Sequence, residues 1–302
     1  VIICEIQSTI EAVERNEALF EETNFTSRAE ALDLLDFHVI DRVEALLQTL
    51  PSPTELLLLK QYAENVRHQL EAVDKAMFQR LRANIRMGSC RGATLLDLIT
   101  TYVGYCASSR QASPIIGYDT LDVFTNGLFP VQPLPLEIRE REPEMVYYQK
   151  TPARIILELV EKARLTDQDV FYDLGSGLGH VPILVNLLSE ATAKGIEVEP
   201  AYCTYANVCV ADLNLSKVVF YQGDALQADY SQGTVFFLYT PFEGRMLQEV
   251  LERLQAEAQI RRITLFTYGP CTLHISQQEW LKCADPEGPH LYKLGEFKSL
   301  PM

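Results

Sequence analysis

Hydrophobic positions in the first hundred residues recur at helical spacing. Leu32, Leu35, Val39, Val43, Leu46 and Leu50 follow one another at three- and four-residue steps, which places them on one face of a helix. Ser27-Arg-Ala-Glu30 has the form of a capping box and is expected to open that helix. Leu50-Pro-Ser-Pro53 is expected to stop it. Ser52 as N-cap, Pro53 at the first helical position and Glu55 three beyond the cap then begin a second helix. In it Leu59, Val66 and Val73 alternate with Ala63, Leu70 and Met77 in a heptad pattern. The pattern predicts a helical hairpin or bundle domain over 1–106, helical on through 95–105. Its apolar seam serves as a packing scaffold, with a dimerisation surface as the alternative reading.

From 107 to 144 the periodicity weakens. Ser108, Ser109, Ser113, Pro114, Gly117, Gly127, Pro130, Pro133, Pro135 and Pro143 punctuate the stretch, which reads as a linker or wrapping segment. Dense mixed charge over 136–143 reads as a solvated surface. From 145 to 302 the pattern changes again. Thr151 as N-cap and Pro152 at the first position open a helix with Ile155, Ile156, Leu159 and Val160 on one face. A short apolar strand over 169–174 and a glycine turn follow, then a helix over 181–187. Strands over 193–198, 217–221, 234–239 and 262–268 come next, with helices from Pro200 to about Leu213 and over 246–254. Late strands over 280–283 and 291–297 read as a hairpin. The alternation predicts an α/β fold with a mostly parallel sheet. Right-handed crossovers then bring the C-terminal ends of the parallel strands to one edge.

That edge gathers the candidate chemistry. The first strand runs into Asp173-Leu-Gly175-Ser176-Gly177-Leu-Gly179-His180. Glycines at a strand-to-helix turn let the backbone approach a nucleotide-like ligand at a helix N-terminus. Glu197 ends the second strand about twenty residues on, where a carboxylate accepts hydrogen bonds from ribose hydroxyls. Asp224 ends the third strand and Tyr239-Thr240-Pro241-Phe242 the fourth. The dinucleotide fingerprint is G-x-G-x-x-G, but here the third glycine comes one position early and His180 follows it. Asp173 beside the loop would repel a pyrophosphate and welcome an ammonium or sulfonium. The pattern therefore points to S-adenosyl-L-methionine, with an NAD-dependent oxidoreductase as runner-up. Plainer readings stand beside these. Asp224 can cap a turn, His180 can simply open a helix, and Tyr239 and Phe242 can pack on the sheet edge. Cys271 places a thiol near the same edge without an evident histidine partner.

Composition narrows the partners. The chain has 302 residues and a formal net charge of −15, which disfavours nucleic acid and suits a basic protein, an amine or plain solubility. Its seven cysteines are odd in number and none is spaced C-x-x-C, so no disulfide framework and no metal site is expected, and reduced thiols in a cytoplasmic setting fit. No apolar run approaches the roughly 20 residues of a membrane span. Val1-Ile-Ile-Cys-Glu5 is too short and too soon interrupted to read as a signal peptide.

The stretch from about Val146 to Lys298 resembles the class I S-adenosylmethionine-dependent methyltransferases. Within them it is most similar to the histone-lysine methyltransferases of the disruptor-of-telomeric-silencing type. Asp173-Leu-Gly-Ser-Gly-Leu-Gly179 resembles that family's Asp-Leu-Gly-Ser-Gly-Val-Gly, Gly195-Ile-Glu197 its Gly-Val-Glu, and Gly223-Asp224 the start of its Gly-Asp-Phe. Tyr148-Gln-Lys-Thr151 stands where the family has Tyr-Gly-Glu-Thr. The resemblance implies a Rossmann-like sheet with a closing antiparallel hairpin, preceded here by an all-α domain. It implies that Asp173 and the loop of Gly175, Ser176, Gly177, Gly179 and His180 hold the methionine part of the cofactor. Glu197 would take the ribose, Asp224 and the backbone of Ala225 would frame adenine, and Tyr148 and Thr151 would close over the whole. Three positions depart from the family: Tyr239-Thr-Pro241 replaces Asn-Asn-Phe, Lys150 a glutamate and His180 a glutamine. Tyr148, Tyr239, Thr240 and Phe242 are candidates for the walls of an acceptor channel. Protein lysine or another amine is the expected acceptor. A non-catalytic protein that binds the cofactor is the alternative of a different class.

Overall fold

The computed structural model describes residues 2–49, 53–105 and 118–300. The chain forms two compact units, one of residues 1–83 with 97–106, the other of 84–96 with 107–302. Residues 84–96 are tied into the second unit by side-chain contacts. Arg86 Nε donates to the Asp212 carbonyl at 2.6 Å and its Nη2 to the Asp212 carboxylate at 2.6 Å. Arg91 Nη1 reaches Asn186 Oδ1 at 3.5 Å.

The first unit is helical. It holds α1 (Ile2–Glu14), a 3₁₀ turn (Glu17–Phe20), α2 (Phe25–Asp33), a π-helical segment (Leu34–Ile40) and α3 (Asp41–Leu47). α4 (Pro53–Arg86) and α5 (Gly92–Val103) follow, with the end of α4 from residue 84 and the start of α5 up to residue 96 belonging to the second unit. Leu35, Val39 and Val43 are buried as their spacing predicts, against Ala63, Val66 and Leu70 of α4. Leu59 and Met77 are buried too, while Val73 is half-buried. The wider π turn brings neighbouring Val39 and Ile40 both onto the buried side.

The expected capping box at Ser27 is not formed. The helix begins three residues earlier, with Asn24 in the cap position. The reason lies in Arg28, whose side chain is fully buried. Its Nε donates to Asp74 at 2.7 Å, Nη1 to the carbonyls of Leu19 and Glu21, and Nη2 to that of Glu22. The four residues are organised around that arginine rather than around a cap. The Ser52 cap and the residues just before it lie outside the described residues.

The second unit is an α/β layer structure. Its elements are α6 (Thr120–Gly127), α7 (Ala153–Ala163), β1 (Val170–Leu174), α8 (His180–Leu188), β2 (Thr192–Glu197), α9 (Pro200–Asp212) and β3 (Val218–Gln222). β4 (Val235–Leu238), α10 (Gly244–Ala258), β5 (Thr264–Thr267), α11 (Cys271–Ser276), β6 (Leu281–Cys283) and β7 (Gly295–Ser299) complete it. Among the described residues the strands form one sheet in the order β3-β2-β1-β4-β5-β7-β6. β1 to β5 are parallel, and β7 runs antiparallel between β5 and β6. This is the doubly wound order that reverses at β1, closed by an antiparallel hairpin. β1 and β4 are central and their apolar runs are buried against helices on both faces. Phe236, Leu238, Leu265 and Phe297 anchor the core on one side.

Short elements escaped the periodic pattern. α6 sits in the stretch read as linker, and its capping box is Asp119 with Asp122. α7 starts at Ala153 with Pro152 in the cap position, not Thr151. The cap is supplied from a distance instead, since the Ala153 amide donates to Asp122 Oδ1 at 2.8 Å. The last strand begins at Gly295, so most of 291–297 is loop.

Candidate active site

The C-terminal ends of β1, β2, β3 and β4 open onto one cleft. Asp173, Gly175, Ser176, His180, Glu197, Asp224, Ala225, Tyr239, Thr240 and Phe242 line it, with Tyr148 and Thr151 from the segment before α7. Twelve of the residues singled out in the sequence are thus brought together. Gly177 and Gly179 are not on the wall. They shape it from behind, both with positive φ. The Gly177 amide donates to Glu197 Oε2 at 2.6 Å, and a β-carbon there would stand 2.1 Å from the Tyr148 ring. At Gly175 a β-carbon would stand 2.4 Å from Pro241, so the turn and the β4 exit touch through bare backbone.

Two buried carboxylates lie at the base of the cleft. Asp173 is 3% exposed and accepts no hydrogen bond among the described residues. Burial drives its pKa well above the usual carboxylate range, and the neighbouring Glu197 adds to this. Glu197 is 7% exposed. Burial raises its pKa as well, partly offset by amides, including that of Gly177 and that of Glu199, which donates to Oε1 at 2.8 Å. Neither carboxylate is ion-paired among the described residues. Asp224 accepts from the Leu226 amide at 2.8 Å, the turn-capping role that the sequence also allowed.

His180 opens α8 and is buried. Its ring lies 4.3 Å from that of Phe129, and Nδ1 has no hydrogen-bond partner. Burial, then the charge of Lys150, pulls its pKa down to about 3, so the imidazole is neutral. The buried Ser176 Oγ also lacks a partner.

A segment over 137–151, absent from the sequence reading as a unit, straps the cleft. Glu199 Oε2 accepts the amides of Ile138 and Arg139 at 3.2 and 2.9 Å, while Oε1 caps α9 through the Ala201 amide. At the other end Glu144 caps α10 from outside, accepting the amides of Arg245 and Met246 at 3.1 and 2.8 Å. Met145 pairs with Phe242 in an antiparallel bridge. Between these ties Tyr148 sets its ring 5.3 Å from that of Tyr202, another cleft residue that the sequence reading missed. Glu199 before Pro200 had the form of a cap signal. Nothing periodic marked Tyr202 or Glu144.

The acceptor-side candidates differ in freedom. Thr240 has a positive φ of 42°. Its hydroxyl donates to the Tyr268 carbonyl at 3.3 Å and accepts the Cys271 amide at 3.2 Å, so it is committed to the fold. Phe242 is buried in the core and shows only part of its ring to the cleft. Tyr239 packs 4.9 Å from Tyr268, and burial pushes its phenol up to about 12, so it stays protonated. Cys271 lies buried with Sγ 3.5 Å from the Leu238 carbonyl, and burial raises its thiol pKa. It is a packed thiol, not a thiolate nucleophile.

This donor set fits a cationic nucleoside. Asp173, without a partner among the described residues and beside a glycine turn, suits a sulfonium or an ammonium, Glu197 at the next strand end suits ribose hydroxyls, and the pair would repel a pyrophosphate. The sheet order and the acid-bearing strand ends are those of a class I S-adenosylmethionine-dependent methyltransferase, and its cofactor is S-adenosyl-L-methionine. Residues 139–257, from the strap into α10, match the family model described as "Histone methylation protein DOT1". That span is less than half of the chain. Among solved structures, an RNA methyltransferase from Salinibacter ruber in complex with S-adenosyl-L-homocysteine is 24% identical, with 50% of this chain and 92% of that one covered at a TM-score of 0.40. A putative methyltransferase, yhhF, from Escherichia coli is 18% identical over 53% of this chain and 92% of its own, also at 0.40. A precorrin-6y C5,15-methyltransferase from Geobacter metallireducens GS-15 is 16% identical over 52% and 94%, at 0.39. All three are distant likenesses. No curated protein sequence matches the chain.

Proposed function

We propose that this methyltransferase transfers its methyl group to an amine, with protein lysine as the leading acceptor. The observation that carries the reading is the pair of unpaired, buried carboxylates Asp173 and Glu197 beneath a cleft walled by tyrosines, on a chain of net charge −15. A basic, amine-bearing substrate complements that acidity.

In this reading Asp173 and the turn of Gly175, Ser176, Gly177, Gly179 and His180 hold the methionine end, and Glu197 takes the ribose. Asp224 and the Ala225 backbone frame adenine, while Tyr148 and Thr151 close the cleft from the strap. When bound, the cofactor supplies an activated methyl group on a sulfonium. The work left to the protein is to align the acceptor, desolvate it and keep water out. Tyr148, Tyr239 and Phe242 form the wall suited to that task, with Thr240 fixing the backbone between them. Tyr239 stays a neutral phenol, so it orients an amine that has already lost its proton to solvent and does not act as a base. Six cysteines among the described residues are free thiols, in keeping with a cytoplasmic protein. No helix among the described residues is long and apolar enough to cross a membrane.

The test is transfer from methyl-labelled S-adenosyl-L-methionine to a lysine-rich polypeptide, a polyamine and an RNA, with mass spectrometry locating the label. Methyl on amine nitrogen supports the reading. Label on the RNA alone would sink it.

A further inference from the structure

Apolar side chains gather on one stretch that neither the cleft nor the core uses. Between the buried Phe129 and the strap lies Pro130-Val-Gln-Pro133-Leu-Pro135-Leu136, which forms no helix or strand and carries no charged residue. Val131 is 93% exposed, Leu134 71% and Leu136 84%, and Pro133 is exposed with them. Burial along the run repeats in threes. Gln132 and Pro135 are half-buried, and Val131, Pro133, Leu134 and Leu136 around them face solvent. Gln132 Nε2 donates to the Tyr205 carbonyl at 3.3 Å and to Cys209 Sγ at 3.1 Å, which seats the half-buried ridge on α9.

A three-residue repeat is the periodicity of polyproline II. Pro130, Pro133 and Leu136 stand on one ridge of such a helix, Val131 and Leu134 on a second, and Gln132 with Pro135 on the ridge against α9. The prolines fix their own φ and bias the residues before them to the same extended region. Among the described residues no backbone amide or carbonyl of 130–137 enters a hydrogen bond, so the carbonyls are open to donors from outside. Strand addition fits less well, because Pro133 and Pro135 take the donors off one edge. Both ends of the run are held. Phe129 is buried at one, and the Ile138 and Arg139 amides bond Glu199 at the other. An incoming partner therefore has little further chain to order.

We propose that residues 130–136 are a docking ridge for a partner domain whose groove is lined by aromatic rings and reads polyproline II. The rings of that groove pack against Val131, Pro133, Leu134 and Leu136, and its ring N–H and hydroxyl donors take the free carbonyls. A second copy of the chain is the weaker occupant, since each copy carries a net charge of −15 and the ridge offers no charge to offset the repulsion. The proposal does not depend on which acceptor the cleft serves.

The experiment titrates the full chain into a panel of isolated, isotope-labelled SH3, WW and EVH1 domains, following the chemical shifts of each domain's groove aromatics. Saturable binding by at least one domain, through its groove, is expected. Pro133→Ala and Leu134→Ala should each weaken it by about fivefold or more, while thermal melts and S-adenosylhomocysteine binding keep their wild-type values. Leu58→Ala, at an exposed leucine of the helical unit, should leave it unchanged. No binding by any domain of the panel overturns the proposal. So does binding that survives both ridge substitutions, or that Leu58→Ala weakens equally. Self-association of the chain that rises with concentration and is lost in Leu134→Ala assigns the ridge to a second copy and overturns it too.

Discussion

Asp173 is a carboxyl group in a place where ionisation costs free energy and nothing in the protein offsets it. Its folded pKa is raised by burial and then by Glu197. The native state therefore keeps a proton that the unfolded chain gives up. Its contribution to stability is present at low pH and is lost as pH rises from the ordinary carboxylate value through the raised one. Asp173→Asn should accordingly melt higher than the wild type near pH 7, while its affinity for S-adenosylhomocysteine falls by about tenfold or more. A bound ammonium lowers the pKa of Asp173 again, so wild-type affinity should rise with pH until the carboxyl is ionised. Titrations across that range check the slope, which Asp173→Asn should flatten. His180 has the opposite sign. Its pKa is depressed from 6.5 to about 3, so the fold loses stability as pH falls through that window. At this scale the sequence was readable where a residue broke a pattern. Asp173 interrupts an apolar strand and Glu197 ends one. Tyr202 and Glu144 break nothing, and their roles exist only after a distant strap has come to rest beside them.

Among the elements, the strap over 137–151 is the one that makes an edge into an enclosed cleft. It carries little regular structure, and two carboxylates hold it by four backbone amides. Each carboxylate sits at the start of a helix, α9 or α10, where negative charge is favoured. Replacing both, as Glu144→Gln with Glu199→Gln, weakens charge-assisted bonds to neutral ones. Hydrogen exchange over 138–147 should accelerate, and affinity for S-adenosylhomocysteine should fall by about tenfold, while the sheet keeps its protection. The parallel strands were legible as short apolar runs bounded by turn signals, and the longer helices by their 3.6-residue periodicity. α6 and α11 were not legible, being only one or two turns long. The capping signals at Ser27 and Thr151 misled because remote groups, Arg28 with Asp74 in one unit and Asp122 in the other, impose a different start.

At the scale of the whole molecule, each unit has its own core, and the helical one is pinned by a buried ion. Arg28 has no solvent access and satisfies three carbonyls and Asp74 at once. Arg28→Met leaves those acceptors and the Asp74 carboxylate uncompensated, and should destabilise the helical unit by about 3 to 5 kcal/mol, read as a lower denaturant midpoint. The division of labour follows from composition as much as from fold. In the proposed reading, a chain of net charge −15 is better matched to a basic partner than to a phosphate-rich one.

The central claim, that Asp173 and Glu197 at successive strand ends hold a cationic adenosine cofactor, meets its most direct test in one calorimetric titration series. The full chain, its Glu197→Ala variant and its Asp173→Ala variant are titrated with S-adenosylhomocysteine, with NAD as control. The expected result is saturable binding by the wild type, loss of at least about tenfold in each variant, unchanged circular dichroism, and no heat from NAD. Wild-type affinity in both folded variants, or tighter binding of NAD than of S-adenosylhomocysteine, would contradict it.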